Sequence, residues 1–241
     1  MTKFLIGMVT GLILAGLVAV ILVVSLVRFG SEKKAVIASN SALMLRLEGN
    51  IPERAPVEFP IPFFDQQSPL TVREVSDLLR KAAADSRIKA VIFEPKGVQA
   101  GWAKLEELRS ALTTFRKSGK PLVAYLKSPG TREYYLASAA DRIHMGPEDY
   151  LDVKGLRAEM MYFRGSLDKL GVRIEIEHAG KYKNFGDMFE RTSMSPETKE
   201  VMDSILDDLY GRLVSTLAEA RKKTPDEMRA AIDEGPFLPK A

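Results

Sequence analysis

Residues 120–147, KPLVAYLKSPGTREYYLASAADRIHMGP, carry the reading that decides the fold. KPLVAYL has the short apolar run of a strand, TREYYLASAA reads as a helix, and DRIHMGP reads as a short strand followed by a turn. A strand, a helix and a second strand in immediate succession form the unit of a parallel sheet, because parallel neighbours need a crossover connection.

The same alternation extends in both directions. Upstream, IKAVIFEP predicts a buried strand, and Leu105, Leu108, Ala111, Leu112 and Phe115 repeat at helical spacing before Gly119 ends that helix. Before these, Thr71 with Glu74 forms a capping box, and Val72, Val75, Leu78, Leu79 and Ala82 continue as one face of a helix. SALMLRLEGNI alternates as a strand, with Leu43, Leu45 and Leu47 on one side. Between that strand and the capping box, prolines at 52, 56, 60, 62 and 69 enforce an extended loop whose Phe59, Phe63 and Phe64 are expected to cover the domain's own core. Downstream, AEMMYFRGSLDKLG predicts a helix with a glycine stop, and VRIEIEH alternates as a final strand. Ser195 and Pro196 then open a long helix with Val201, Ile205, Leu209, Leu213 and Leu217 along one side, and Thr224, Pro225 and Glu227 open another. The expected class is α/β.

Composition narrows the chemistry. At 241 residues, 46% hydrophobic and 28% charged, the chain can bury a substantial core. Its 35 basic and 32 acidic residues are interspersed and leave a net charge of +3, so no basic stripe for nucleic acid is expected. The absence of cysteine excludes thiol catalysis, disulfides and cysteine-based zinc sites. No His/carboxylate cluster or glycine-rich phosphate loop is apparent, so neither a metal nor a cofactor is expected. Reactivity therefore rests with Ser, Thr, Lys, Tyr or carboxylates.

Phe4 to Val27 contains no charged residue. At ~1.5 Å per residue such a helix crosses a hydrocarbon core ~30 Å thick. The run exceeds the apolar part of a cleavable signal peptide, and SLVRFGSEKK offers no convincing cleavage site, so it reads as an uncleaved anchor. Gly7, Gly11 and Gly16 read as small residues tolerated by lipid. Lys3 precedes the run while Arg28, Lys33 and Lys34 follow it, a distribution that mildly favours a cytoplasmic location for the bulk of the chain.

HAGKYKNFGDMF, residues 178–189, places Lys181 and Lys183 between a strand-like run and a helix. A lysine acts as a general base only where burial lowers its pKa by about three units. Next to a serine hydroxyl, a dry neutral amine generates a nucleophile; on an open surface it is a solvated cation.

The block from LVAYL through EYYLASAADRIHMGP, MYFRGSLDKLGV and AGKYKNFGDMFERTSMSPETKE resembles the first half of the long-form bacterial signal peptide peptidase A family, also called protease IV. The resemblance starts at about Leu43, includes the preceding anchor, and is carried by Gly180, Tyr182 and Lys183 followed by Met194–Glu197 and an acidic amphipathic helix. It implies a Clp-protease/crotonase type of α/β fold and a membrane-anchored serine peptidase with a Ser/Lys dyad that degrades signal-peptide remnants. It also implies that Lys183 matches the catalytic base and Lys181 a variable position. The family's nucleophile lies in a second homologous half, in a Ser-Gly-Gly-Tyr-like context. Here Thr131 stands at the serine position, and Arg132 and Glu133 replace the glycines.

Ser138 reads as a helix residue packed or bonded to the main chain, Ser128, Ser193 and Ser195 as turn or cap residues, and His144 and His178 as structural. The resulting expectation is an anchor and flank over residues 1–34 and a base-carrying repeat over residues 35–241, truncated and inactive by itself. The implied partners are peptides, the lipid bilayer, further copies in a homo-oligomer and a second homologous repeat. The implied location is the bacterial inner membrane, single-pass, with the peptidase domain on the periplasmic or outer side, against the weak charge bias. The competing expectation is a non-catalytic, membrane-tethered assembly domain that binds subunits through the stripe from Val201 to Leu217.

Overall fold

The computed structural model describes residues 2–29, 36–55, 69–177 and 180–238. Phe59, Phe63, Phe64, Lys33, Lys34 and His178 lie outside the described residues. The chain divides into two units, Met1–Ala38 and Ser39–Ala241. In the first, helix α1 spans Thr2–Phe29, and its stretch Lys3–Ser25 is long and apolar enough to cross a membrane. Its apolar side chains from Phe4 to Val24 are exposed.

The second unit is built on four parallel strands in the order of the sequence: β1 (Ser41–Asn50), β2 (Ile88–Gln99), β3 (Leu122–Leu126) and β4 (Arg142–Met145). Helices α2 (Val72–Ala84), α3 (Trp102–Arg116) and α4 (Thr131–Ala137) make the three crossovers. They touch in succession, α2 against α3 and α3 against α4, which places them on one face of the sheet. The second unit has the expected α/β architecture, parallel strands joined by helical crossovers.

Local chemistry explains these elements. In β1 the alternation turns Leu45 and Leu47 inward at 2% and 3% exposure, while β2, flanked on both sides, buries Val91 and Phe93 completely. Pro95 is tolerated in β2 because β3 pairs only with Val91–Phe93, leaving that side of Pro95 without a ladder bond to lose. Glu94 accepts a hydrogen bond from Arg46 of β1 at 2.8 Å and pairs with Lys127 just beyond β3 at 3.4 Å. The Arg46 bond comes first and Lys127 second in holding its carboxyl below the usual range. The capping box on α2 forms as expected: Thr71 Oγ1 accepts from the Glu74 N–H at 3.2 Å, and the Thr71 N–H donates to Glu74 Oε2 at 2.8 Å.

Beyond β4, sequence periodicity and structure diverge. The helix expected over AEMMYFRGSLDKLG shrinks to α5, Arg164–Lys169. The segment before it is extended, with the alternate positions Leu156, Ala158, Met160 and Tyr162 half-buried. VRIEIEH does not form the expected strand over its described residues 172–177, although Ile174 and Ile176 are half-buried. The period-two pattern is present there without a neighbouring strand to complete a ladder. A 3-10 turn at Asn184–Gly186 leads through α6 (Asp187–Glu190) to α7 (Pro196–Arg221), followed by α8 (Pro225–Asp233).

The stripe on α7 splits. Leu213 and Leu217 are fully buried in the chain's own core, whereas Ile205 remains exposed. The surface expected to bind subunits through Val201–Leu217 is thus spent internally over its second half.

Candidate active site

Lys183 occupies the cap position of the 3-10 turn, and its N–H donates to the Gly180 carbonyl at 3.3 Å. Gly180 has φ +98°, a conformation that side chains disfavour, so the glycine ahead of Lys181-Tyr182-Lys183 permits the tight reversal. A buried polar network fastens the far side of the turn. Asn184 Nδ2 donates to Thr198 Oγ1 at 2.7 Å, and Thr198 Oγ1 donates to Asp187 Oδ2 at 3.2 Å. With its one proton committed to Asp187, Thr198 receives the proton of Ser195 Oγ, 2.8 Å away, and Ser195 Oγ accepts the Thr198 N–H at 3.2 Å. Asp187, Ser195 and Thr198 are all buried, so each depends on the others for its hydrogen bonds. The lysine turn and the start of α7 are locked into one unit.

The lysines themselves face outward. Lys181 Nζ lies 4.7 Å from the centre of the Tyr182 ring, and the Tyr182 hydroxyl, ahead of the Glu200 carboxylate, raises its pKa above the ordinary lysine value. A lysine held charged does not accept a proton. The Lys183 side chain is exposed. The dry environment that a general base requires is not supplied by the described residues of this chain.

The turn from β3 into α4 presents a hydroxyl and backbone N–H groups, each already engaged. Thr131 Oγ1 donates to the Lys154 carbonyl at 3.0 Å and accepts the Lys154 N–H at 2.8 Å, so both of its roles are used. Glu133, 8% exposed, accepts the Val98 N–H at 2.6 Å and the Gly130 N–H at 3.1 Å. The two amides bond different oxygens, Val98 to Oε1 and Gly130 to Oε2, so the carboxylate of the chain itself takes both donors. In this arrangement Thr131 Oγ1 is tied to the Lys154 backbone, and the Val98 and Gly130 amides are taken by Glu133. A groove of about 580 Å³ lies over it, with Trp102, Lys154, Leu156, Ile205 and Leu209 in its walls. In the sequence Glu133 stands out only as a replacement for a glycine. Its spacing from Gly130 as a capping-box acid was the available signal, but the link to Val98 is a tertiary contact.

Ser138, Ser128 and Ser195 are hydrogen-bonded within the fold. Ser138 Oγ donates to the Tyr135 carbonyl at 2.6 Å and accepts from Arg109 Nε at 3.1 Å. Ser128 sits at φ +41° in a turn and donates to Asp149 at 3.0 Å, and Ser195 caps α7. His144 is exposed on β4. Among the described residues, no group of three or more His, Asp or Glu side chains is placed to hold a metal ion.

Comparison with known proteins falls on the same region. The chain is 30% identical to the chloroplastic serine protease SPPA of Arabidopsis thaliana over 83% of its own length and 29% of that protein. It is 29% identical to Protease 4 of Haemophilus influenzae over 87% of its length and 36% of that protein. The chain thus spans about a third of the length of these relatives. Among solved structures, the membrane-bound stomatin-specific protease 1510-N aligns with 84% of this chain and 74% of its own at 14% identity and a TM-score of 0.42, too distant to bear on the site. The sequence profile of Peptidase family S49 matches residues 114–239, from the end of α3 through the lysine turn and α7 to beyond α8. With more than half of its length inside that match, the chain belongs to Peptidase family S49.

Proposed function

We propose that this chain is the base-carrying repeat of a membrane-bound serine endopeptidase of the Ser/Lys dyad type, acting on signal-peptide remnants. Residues 1–34 serve as its anchor and flank and residues 35–241 as the repeat, with the peptidase domain on the periplasmic or outer side of a bacterial inner membrane. The serine comes from a second homologous repeat in the longer protein. There, a serine oxygen attacks the peptide carbonyl, Lys183 takes its proton, and the same amine returns a proton to the leaving nitrogen, giving an acyl-enzyme that water then resolves.

One observation carries the reading: the Gly-Lys-Tyr-Lys turn lies within the family match and is braced by half-buried Asn184 with buried Asp187, Ser195 and Thr198, which fixes the backbone from which Lys183 projects. Such bracing is what a side chain that meets a reactive group from another domain requires. Because Lys183 is exposed in this chain, the second repeat also has to cover it and exclude water.

The test uses the longer protein with Lys183→Ala and Lys183→Arg, assayed on an apolar peptide. Both variants are expected to lose activity by about a hundredfold or more, since arginine keeps the charge but cannot act as a base. Near-equal rates for either variant remove Lys183 from the mechanism. The chain by itself is expected to remain unlabelled by a fluorophosphonate, because Thr131 is doubly bonded to the Lys154 backbone.

A further inference from the structure

The extended segment after Lys154 has the features of a strand and lacks a neighbour. From Gly155 to Phe163, burial alternates at every position, with Leu156, Ala158, Met160 and Tyr162 half-buried and the residues between them exposed. Among the described residues, the backbone N–H and C=O groups from Gly155 to Tyr162 have no hydrogen-bonding partner. A proline-free run of this length with an open edge is a template for another strand, and folded proteins rarely leave such an edge uncovered.

The side chains indicate which strand fits. In an antiparallel register centred on Ala158, Ala158 of one copy faces Ala158 of the other. On the exposed face Arg157 then lies opposite Glu159, and on the half-buried face Leu156 lies opposite Met160, each of these pairings occurring twice by symmetry. Opposite charges and apolar pairs directly across an antiparallel ladder are stabilising, and like charges there are not. The sequence Leu156-Arg157-Ala158-Glu159-Met160 is thus complementary to itself when reversed, as a two-fold interface requires. Within one copy, Arg157 and Glu159 pair at 3.0 Å but remain 80% and 72% exposed, so this contact leaves both side chains available.

We propose that residues 155–161 form an antiparallel strand with the same segment of a second copy of this chain, about a two-fold axis at Ala158. This pairing completes the ladder that the segment lacks within one chain, and it is independent of the peptidase chemistry. It uses a different surface from the α7 stripe, whose second half is already buried.

The chain has no cysteine, so a single introduced thiol reports on one position. The full chain in detergent micelles carries Ala158→Cys, or Ser118→Cys at an exposed site as a control, and is oxidised mildly with copper phenanthroline. Residues directly opposite across such a ladder have Cβ atoms ~4.5–5.5 Å apart, so most of the Ala158→Cys chain is expected as a disulfide-linked dimer and little of the control. In parallel, Arg157→Glu is expected to raise the dimer dissociation constant on the order of tenfold, and adding Glu159→Arg to restore it, because the swapped pair is again complementary. Ala158→Cys cross-linking no better than the control, or a double variant as weak as the single one, overturns the proposal. Dimers held by α1 alone produce that negative result.

Discussion

Glu133 offers the sharpest test of how the turn ahead of α4 is held. Its carboxylate is the acceptor for the N–H groups of Val98, 2% exposed, and of half-buried Gly130. Glu133→Ala removes that acceptor and offers no replacement. An orphaned buried donor costs ~1–3 kcal/mol, and water reaches Gly130 more readily than Val98, so the sum is expected at ~3 kcal/mol. Glu133→Gln keeps one acceptor oxygen but turns an NH2 toward the second donor, so its loss is expected to be smaller, ~1–2 kcal/mol. The assay is urea unfolding of the full chain in detergent, followed through its single tryptophan, Trp102, which lines the groove beside Glu133. At this chain length a 3 kcal/mol loss corresponds to a fall in Tm on the order of 6–12 °C. If Glu133→Ala unfolds within ~0.5 kcal/mol of the parent, the two amides have another acceptor and the account of a filled amide pair fails.

Two further expectations follow from the polar chemistry of the domain. Thr198→Val removes the hydroxyl shared by Asn184, Asp187 and Ser195, so trypsin is expected to cut after Lys181 and Lys183 faster than in the parent; unchanged cleavage rates would show that the network does not restrain the lysine turn. Asp85, just after α2, is held down to about 2 by its side-chain hydrogen bond to Arg87, against an ordinary value of 3.8. A carboxyl with a depressed folded-state pKa contributes stability above its unfolded value and loses it as pH falls through the folded one. Thermal melts are therefore expected to separate Asp85→Asn from the parent near pH 6 and to converge below about pH 2; a constant offset across that range would contradict the assignment.

The parallel α/β core was legible before any coordinates because its signals are local. The capping box at Thr71 and Glu74, the alternation in Leu43, Leu45 and Leu47, and the apolar stripe of α3 each lie within a few residues of one another, and each formed as read. After β4 the same periodicities misled. The run Ala158–Tyr162 reads as the start of a helix, yet it lies extended, and VRIEIEH alternates without a ladder over its described part. A strand is completed by a neighbour, and no local pattern states whether that neighbour belongs to the same chain.

The site divides along the same line. Chain order alone placed Lys183 behind Gly180 and Tyr182 and ahead of the Ser195 cap, which suffices to mark the family. Tertiary structure decided three things that spacing does not encode: the Glu133 carboxylate closes the amide pair formed with distant Val98, Thr198 gathers Asn184 and Asp187 beneath the lysine turn, and the Lys183 side chain faces outward. Caps and amphipathic faces depend on residues a turn or two apart. Burial and polar satisfaction depend on which surfaces meet once the chain has folded, and a linear order does not contain that information.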